Sequence, residues 1–519
     1  MLPHYENDYL LPHIIHHNAR LYADSCAVVC GDTRLSWREL DIATNKAANA
    51  LIARGLRKGG KVALLSPNAI TSFVTFWAVL KAGGVIVPLN GMLDESSLAR
   101  LADASDGSFF FAAAAYADLV DAVRDKLPKI AADRYFIFGA ERAGWQSGEA
   151  FFAGGADHAP GVPLAPADGM TIFYSSGTTG TPKGIAHSHF GRLNYAYGFG
   201  AGFGINRHSV AICATPIYAS GTCITMLPTL YCGGKIVLLS KFSPEAFLSA
   251  VEAEGGTHSF MVPAMYVSVL EHTQREYNCS SWRVLISAGQ TMAQATRDAL
   301  GARFPHAGIH EVYGMTEGFF TIALPDDFAL GKRDTVGKAG FLEDIRILGE
   351  DDCELPAGEV GEIVAYGPGM MQGYYARPDL TEETVWCSPA GRTYLRSGDL
   401  GYLDSDGYLY VSGRKKDMIK SGGINIYAID IEDIMMTHPA VSEAAAIGIP
   451  HPRWSETPIG VVTLKPGAAI SESDLLAWIN ERLAKYQRLT QLAIVEDFPR
   501  ATYGKIQKDR LRAIYSAPA

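Results

Sequence analysis

Short apolar runs alternate along this chain with stretches whose apolar residues recur at helical spacing. Lys61-Val-Ala-Leu-Leu65 reads as a buried strand, and Ile70–Ala82 as a helix leading into a second strand, Val85-Ile-Val-Pro-Leu89. Before them, Gly31-Asp32 marks a hairpin-like turn. Ser36 followed by Glu39 predicts a capping box opening a helix that carries Leu40, Ala43, Ala47, Ala50 and Leu51 and ends at Gly59-Gly60. The same rhythm returns with Ile236–Leu239 as strand, Pro244–Glu254 as helix, Phe260–Pro263 as a strand end and Val284–Ser287 as strand. Strands alternating with helices predict α/β layers around a parallel sheet. Ala112–Ala115 reads as helix, and residues 141–169, rich in Gly, Ala and Pro, read as a surface connection.

The pattern changes twice. From about 335 to 412, glycine every few residues and many tyrosines predict a β-rich section. Near 413 the strand Tyr408–Ser412 gives way to the charged Gly413-Arg-Lys-Lys-Asp417. Beyond it come a Gly422-Gly423 turn, the helix Asp430–Thr437, the strands Glu443–Gly448 and Ile459–Leu464, the helix Glu472–Leu483 and a last strand near Ala493–Glu496. That is an α+β unit of roughly 100 residues, an ordinary domain size. The expected fold class is therefore α/β: a large N-terminal domain, 1–415, of layered α/β subdomains plus a β-rich subdomain, then a small α+β C-terminal domain, 416–519.

Composition narrows the function. A chain of 519 residues is too long for one core. Hydrophobic content of 48% with 19% charged residues is that of an ordinary globular protein. A formal net charge of −10 argues against a nucleic-acid partner. Eight cysteines without a Cys-x-x-Cys pair fit a reducing compartment. The acidic Met1–Asp8 has no signal-peptide layout. The apolar run Phe73–Leu80 is stopped by Lys81-Ala-Gly-Gly84, well short of the ~20 residues a span needs. A cytoplasmic protein without a membrane span is expected.

The chemistry concentrates in four stretches. Tyr174-Ser-Ser-Gly-Thr-Thr-Gly-Thr-Pro-Lys-Gly184 follows the predicted strand Gly169–Tyr174. Its glycines, Gly177 and Gly180 among them, let backbone N–H groups approach an anion. Its hydroxyls (Ser175, Ser176, Thr178, Thr179) add donors and Lys183 adds a positive charge, which suits a polyphosphate. It is not a Walker A loop, because Lys183 is flanked by Pro182 and Gly184. In Val312-Tyr313-Gly314-Met315-Thr316-Glu317-Gly318, a hydroxyl and a carboxylate share one strand end. Glu317 can hold Mg²⁺ against a triphosphate, and Tyr313 offers a flat face to a nucleobase. In Arg396-Ser-Gly-Asp399, the aspartate can accept from both ribose hydroxyls. Lys505, in Gly504-Lys505-Ile506, can offset the charge that builds when a carboxylate attacks a triphosphate. His187-x-His189 has metal spacing but no cysteine or carboxylate beside it. His13, His16 and His17 fall on a predicted surface helix.

These stretches, quoted as they stand, resemble the adenylate-forming superfamily of acyl-CoA and aryl-CoA ligases, peptide-synthetase adenylation domains and luciferases. The resemblance covers nearly the whole chain. It implies that Ser175, Ser176, Gly177, Thr178, Thr179, Gly180 and Lys183 hold the triphosphate of ATP, with Gly289, Gln290, Val312, Tyr313, Gly314 and Thr316 around the nucleotide. It makes Glu311 an acceptor for the adenine amino group, Asp399 and Arg414 ribose and phosphate contacts, and Lys416 the hinge of a mobile C-terminal lid. It gives Lys505 contacts to the acyl carboxylate and the α-phosphate, and sets Thr316 and Glu317 beside it as catalytic. Ser421-Gly422-Gly423-Ile-Asn-Ile-Tyr-Ala-Ile-Asp-Ile-Glu432 is similar to the run found in the CoA ligases, which favours coenzyme A as the acceptor and places Ser421, Gly422 and Gly423 on its side. Where the family often carries Pro-x-x-His-x-x-Gly, this chain has Pro216-Ile-Tyr218-Ala219, with Ala219 at the histidine position. Tyr218, Ala219, Ala288, Gly289 and Met315 then imply a roomy, mainly apolar acid pocket. Aryl, cycloaliphatic and medium-chain acids all fit such a pocket, and the order expected is aryl or medium-chain acids first, long-chain next and acetate last. Carrier-protein loading, a luciferase-like oxygenase and a non-catalytic nucleotide-binding module are the rival readings, and a homodimer stays open.

Overall fold

Ser36 Oγ accepts from the Glu39 amide at 3.2 Å, and the Glu39 carboxylate accepts from the Ser36 amide at 2.8 Å. The capping box thus starts the helix Trp37–Ala53 as its spacing predicts. The helix stops before Gly59-Gly60, because Gly55 takes φ +96° and turns Leu56 into the core, 2% exposed. The structure, a computed structural model, describes residues 9–175, 183–422, 424–500 and 506–516. Of the expected site residues, Ser176, Gly177, Thr178, Thr179, Gly180, Gly423 and Lys505 lie outside the described residues, as does the side chain of Ser175.

The described chain to Ser175, with 183–344 and Tyr366–Val385, forms one compact unit built on two sheets. In the first sheet six strands run parallel, in the order Gly308–Met315, Val284–Ala288, His258–Met261, Val210–Cys213, Lys235–Leu238 and Cys26–Cys30. Antiparallel strands finish both sides: Thr33–Ser36 at one, Phe319–Ala323 and Lys338–Ala339 at the other. The second sheet orders Gly373–Tyr374, Lys183–Ser188, Gly169–Ser175, Val85–Pro88, Lys61–Leu65, Gly107–Ala113, Tyr135–Phe138 and Gln146–Ser147. One continuous core joins them. Val28 and Ile236 of the first sheet and Val62, Ile86 and Phe109 of the second pack with Trp37, Phe76, Trp77 and Leu227 from the helices between. The near-continuous apolar run of Ile70–Lys81 is explained by this double burial.

Two readings change. Ala112 and Ala113 close the strand Gly107–Ala113, Ala112 pairing with Leu65, and helical turns begin only at Ala114. Within 141–169 lie a short strand, Gln146–Ser147, and the helix Gly148–Ala153. That helix places Phe151 on Phe136 at 4.3 Å and Phe152 near Phe111 at 5.4 Å, so this connection is partly core.

Ile345–Ala365 and Trp386 onward form the second unit. Its β-rich part pairs Gly361–Tyr366 with Thr393–Leu403, and the latter with Leu409–Arg414. Its C-terminal part pairs Val441–His451 with Ser455–Leu464. Side chains alternate along Val441–His451: Ala446 faces the helices Ala428–Met436 and Glu472–Arg482, while Ala445 and Ile447 face Phe498 and Leu511. Leu511 belongs to a last helix, Lys508–Tyr515, which the sequence pattern does not announce because it is that helix's one buried residue. Among the described residues no helix is long and apolar enough to cross a membrane.

Lys81, 7% exposed, donates to Asp41 at 2.5 Å and to Asn45 at 2.8 Å. Removing one partner of a buried pair strands the other. Lys81→Met should therefore lower the unfolding free energy by about 3 kcal/mol in a urea titration, with the midpoint moving accordingly.

Candidate active site

The strand Gly308–Met315 and the strand Phe319–Ala323 are joined by a tight hairpin, with Gly314 opposite Phe320 and Met315 opposite Phe319. Thr316, Glu317 and Gly318 form its tip. The tip tolerates no side chain at Gly318, where φ is +120° and a Cβ would lie 2.5 Å from the Gly369 carbonyl oxygen. Four bonds fix it. Gly318 N–H reaches the Met315 carbonyl at 3.1 Å, and the Met371 amide donates to the Glu317 carbonyl at 2.7 Å. The hydroxyls of Thr316 and Ser220 are 2.8 Å apart. The ring of His187 donates from Nε2 to the Thr316 carbonyl at 2.8 Å.

His187 is buried, and its Nδ1 accepts from Arg192 Nη2 at 3.1 Å. The two bonds together place the ring proton on Nε2. Burial, and then the Arg192 charge, hold the imidazole well below its ordinary pKa, so it stays neutral. Arg192 is 1% exposed, with its guanidinium 5.0 Å from the Phe173 ring centre and 5.1 Å from that of Tyr195. His187 thus serves a hydrogen-bond relay, whereas neither ring nitrogen of the buried His189 has a hydrogen-bond partner among the described residues.

Glu317 is 9% exposed, and its Oε1 accepts from the Tyr374 hydroxyl at 2.8 Å. The Lys183 ammonium lies 4.9 Å from the centre of the same Tyr374 ring. Tyr374 is placed by the strand pair Gly373–Tyr374 with Ile185–Ala186. One tyrosine thereby brings together the lysine that closes the loop expected to hold phosphate and the carboxylate expected to face a metal. The sequence reading passed over it; its one cue was a place in the tyrosine-rich Gly373-Tyr-Tyr375. Gly177 and its neighbours in that loop, being outside the described residues, add no geometry to the site.

Of the other expected residues in this unit, Gly289 and Gln290 are exposed just past the strand Val284–Ala288, Gly289 with φ +90°. Ala288 pairs with Val312, and Ser287 with Glu311. Tyr313 stands edge-on to Phe319 at 5.9 Å. The Glu311 carboxylate is buried and engaged by the Arg297 guanidinium; burial raises its pKa and Arg297 opposes the rise. Tyr218 and Ala219 are half-buried on a loop held at its base by Asn68. The Asn68 amide donates to the Thr215 and Leu239 carbonyls, each at 3.0 Å, and accepts from the Ile217 amide at 2.8 Å. At the far end of that loop a Cβ on Gly221 would meet Phe260 at 2.5 Å.

The second unit holds the remaining expected residues. Asp399 and Arg414 are cross-strand neighbours, Arg414 Nε lying 3.4 Å from the carboxylate. Lys416 is 3.2 Å from Asp509 of the last helix. Ser421 ends a short strand, and Gly422, with φ +60°, donates to the Trp454 carbonyl at 2.8 Å.

Comparison with known proteins matches residues 15–375 to a family model described as AMP-binding enzyme and residues 430–505 to one described as AMP-binding enzyme C-terminal domain. A feruloyl-CoA synthase from an Amycolatopsis species is 35% identical over 502 residues, covering 95% of this chain and 96% of the relative. ATP-bound MatB from Rhodopseudomonas palustris superposes with a TM-score of 0.86 at 28% identity, covering 97% of this chain and 99% of that one. The o-succinylbenzoate CoA synthetase (MenE) of Bacillus subtilis, in complex with the acyl-adenylate intermediate OSB-AMP, gives a TM-score of 0.83 at 26% identity over 96% of this chain and 97% of its own.

His187→Leu would leave the Thr316 carbonyl and Arg192 Nη2 without their partner, at a cost of about 1–3 kcal/mol for each buried group. His187→Gln keeps an amide able to donate one way and accept the other. Denaturant unfolding should show the leucine variant losing at least ~2 kcal/mol and the glutamine variant clearly less.

Proposed function

The chain belongs to the AMP-binding enzyme family, and on that premise we propose that it is an ATP-dependent, AMP-forming ligase joining a carboxylic acid to coenzyme A. In the first step the acid's carboxylate attacks the α-phosphorus of ATP, and pyrophosphate leaves. In the second the thiol of coenzyme A attacks the acyl-adenylate, and AMP leaves. The observation that carries this reading is the convergence at Tyr374, where Lys183 and Glu317 share one ring beside the Thr316 hydroxyl.

Each residue then has a task. Ser175, Ser176, Gly177, Thr178, Thr179, Gly180 and Lys183 cradle the triphosphate. Glu317 Oε1 is taken by Tyr374, which leaves Oε2 to face a cation. One carboxylate beside a hydroxyl suits Mg²⁺, whose other ligands are phosphate oxygens and water; when bound it neutralises phosphate charge. Gly289, Gln290, Glu311, Val312, Tyr313 and Gly314 border the adenine. Glu311, oriented by its bond from Arg297, accepts from the adenine amino group. From the second unit, Asp399 and Arg414 take the ribose, and Lys505 steadies the carboxylate and the α-phosphate during adenylation. Residues 416–519 act as a lid turning at Lys416 between the two steps, with Ser421, Gly422 and Gly423 serving the thiol side.

The acid fits an aryl or medium-chain class. Ala219 stands where a bulkier histidine would, and Tyr218, Ala288, Gly289 and Met315 add small or apolar surface. A relative 35% identical is named for feruloyl-CoA, which supports the aryl end of that range.

Two measurements test the reading. Lys505→Ala should slow acid-dependent pyrophosphate release by ~10²-fold or more while sparing thioester formation from supplied acyl-adenylate. Equal losses in both half-reactions would remove its one-step role. Ala219→His should shift the ranking of acids in a pyrophosphate-release panel; an unchanged ranking would mean Ala219 does not border the acid.

A further inference from the structure

Glu343 carries the carboxyl of the first unit that is hardest to explain structurally. It follows Leu342, a non-glycine residue at φ +66°, in a loop that begins at Gly340. The carboxyl is pressed against the backbone of Gly367, where a Cβ would lie 1.8 Å from Oε2. Oε2 is buried, and no described side chain or amide forms a hydrogen bond with it. Burial alone, with no cation to oppose it, pushes the group up to about 9, so at neutral pH it is a carboxylic acid that both donates and accepts. A buried polar atom left in this condition needs a reason.

Its surroundings supply one. The loop runs past Phe320: a Cβ on Gly340 would come within 2.2 Å of that ring. Phe320 stacks on Phe199 at 4.0 Å and meets Tyr195 edge-on at 6.1 Å. These rings belong to one apolar cluster with Ile224, Phe260 and Ile286, against which Tyr195 and Ala288 also pack. Ala288 marks the end of that cluster nearest the reacting groups, and Phe260 closes on Gly221. Tyr195 marks another side, where burial keeps its phenol protonated although the neighbouring Arg192 guanidinium opposes this. An acid whose carboxylate lies at Thr316 and whose body lies along this cluster would direct its far end toward two neutral hydroxyl-bearing groups.

We propose that Glu343 and Tyr195 form the polar far end of the acid site and select aryl acids that carry a ring hydroxyl over the same acids without it. The proposal rests on the ligase reading. A ring hydroxyl matches a protonated carboxyl in both directions, donating to its carbonyl oxygen and accepting from its O–H. A bare ring leaves both carboxyl atoms unanswered, which is the side on which a hydrogen-bonding site discriminates. A second carboxylate on the acid would bring a negative charge to a group whose surroundings oppose charge.

The test uses matched pairs, 4-hydroxycinnamate against cinnamate and 4-hydroxybenzoate against benzoate, in the full-length enzyme with ATP and coenzyme A. Pyrophosphate release is read as kcat/KM for the wild type, Glu343→Gln and Glu343→Leu. The wild type should favour the hydroxylated member by about 10-fold or more, the glutamine variant should keep most of that preference, and the leucine variant should bring the ratio close to one. The leucine variant should also melt no lower than the wild type, since it replaces an unanswered buried carboxyl with an apolar group. A lower melting temperature with an unchanged ratio would show a structural carboxyl and overturn the proposal. So would turnover of medium-chain acids with none of the aryl pairs, which leaves the ligase reading standing. Failure to release pyrophosphate with any acid would sink both.

Discussion

The hydrogen bond from the His187 ring to the Thr316 carbonyl crosses from one sheet of the first unit to the other. His187 sits on a strand of the second sheet, and Thr316 on a hairpin tip of the first. Two more ties cross the same seam. Tyr374 reaches Glu317, and Asn68, just past the strand Lys61–Leu65, reaches Thr215 and Leu239 just past two strands of the first sheet. Each tie is a single polar side chain with its capacity largely used, so the seam is held by direction as well as by apolar contact. The described residues proposed for phosphate, metal and acid lie along it, where strand ends from two sheets leave backbone groups exposed to a ligand.

Much of this was legible locally. The capping box at Ser36 and the helix Pro244–Glu254 follow from neighbours a few residues apart, and local rules suffice for them. The α/β class, the glycine-rich loop and the Tyr313–Glu317 stretch were visible because their chemistry is written consecutively. Long-range partners were not visible. His187 and Thr316 are 129 residues apart, and Tyr374 and Glu317 are 57 apart. Nothing in either segment names the other, so a buried relay was indistinguishable from a half-formed metal motif. The short helix Gly148–Ala153 was obscured by flanking glycines; its phenylalanines show their role only once Phe111 and Phe136 face them.

The second unit was easier to read at the level of pairs. Asp399 and Arg414 lie on adjacent antiparallel strands, so a short turn is enough to bring them together. Glu362 gathers Arg396 and Lys415, each at 2.8 Å, and so holds the strand on which Asp399 lies beside the segment that leads to Lys416. Arg512 reaches Asp417 at 2.7 Å, which ties the start of the small C-terminal sheet to its last helix. That helix escaped the sequence reading because one buried leucine is too few to generate a period.

Asn68 has a consequence for how this chain can change over time. By holding the loop 215–221 at its base from another sheet, it separates the loop's attachment from its tip. Tyr218 and Ala219 can be exchanged without disturbing the bonds that keep the loop in place, whereas Ser220 is tied through its hydroxyl to Thr316, and Gly221 and Phe260 can change only as a couple. On the proposed reading, the acid preference is carried on an interchangeable cassette set into a fixed frame, and it is the property most easily inherited separately from the rest of the molecule.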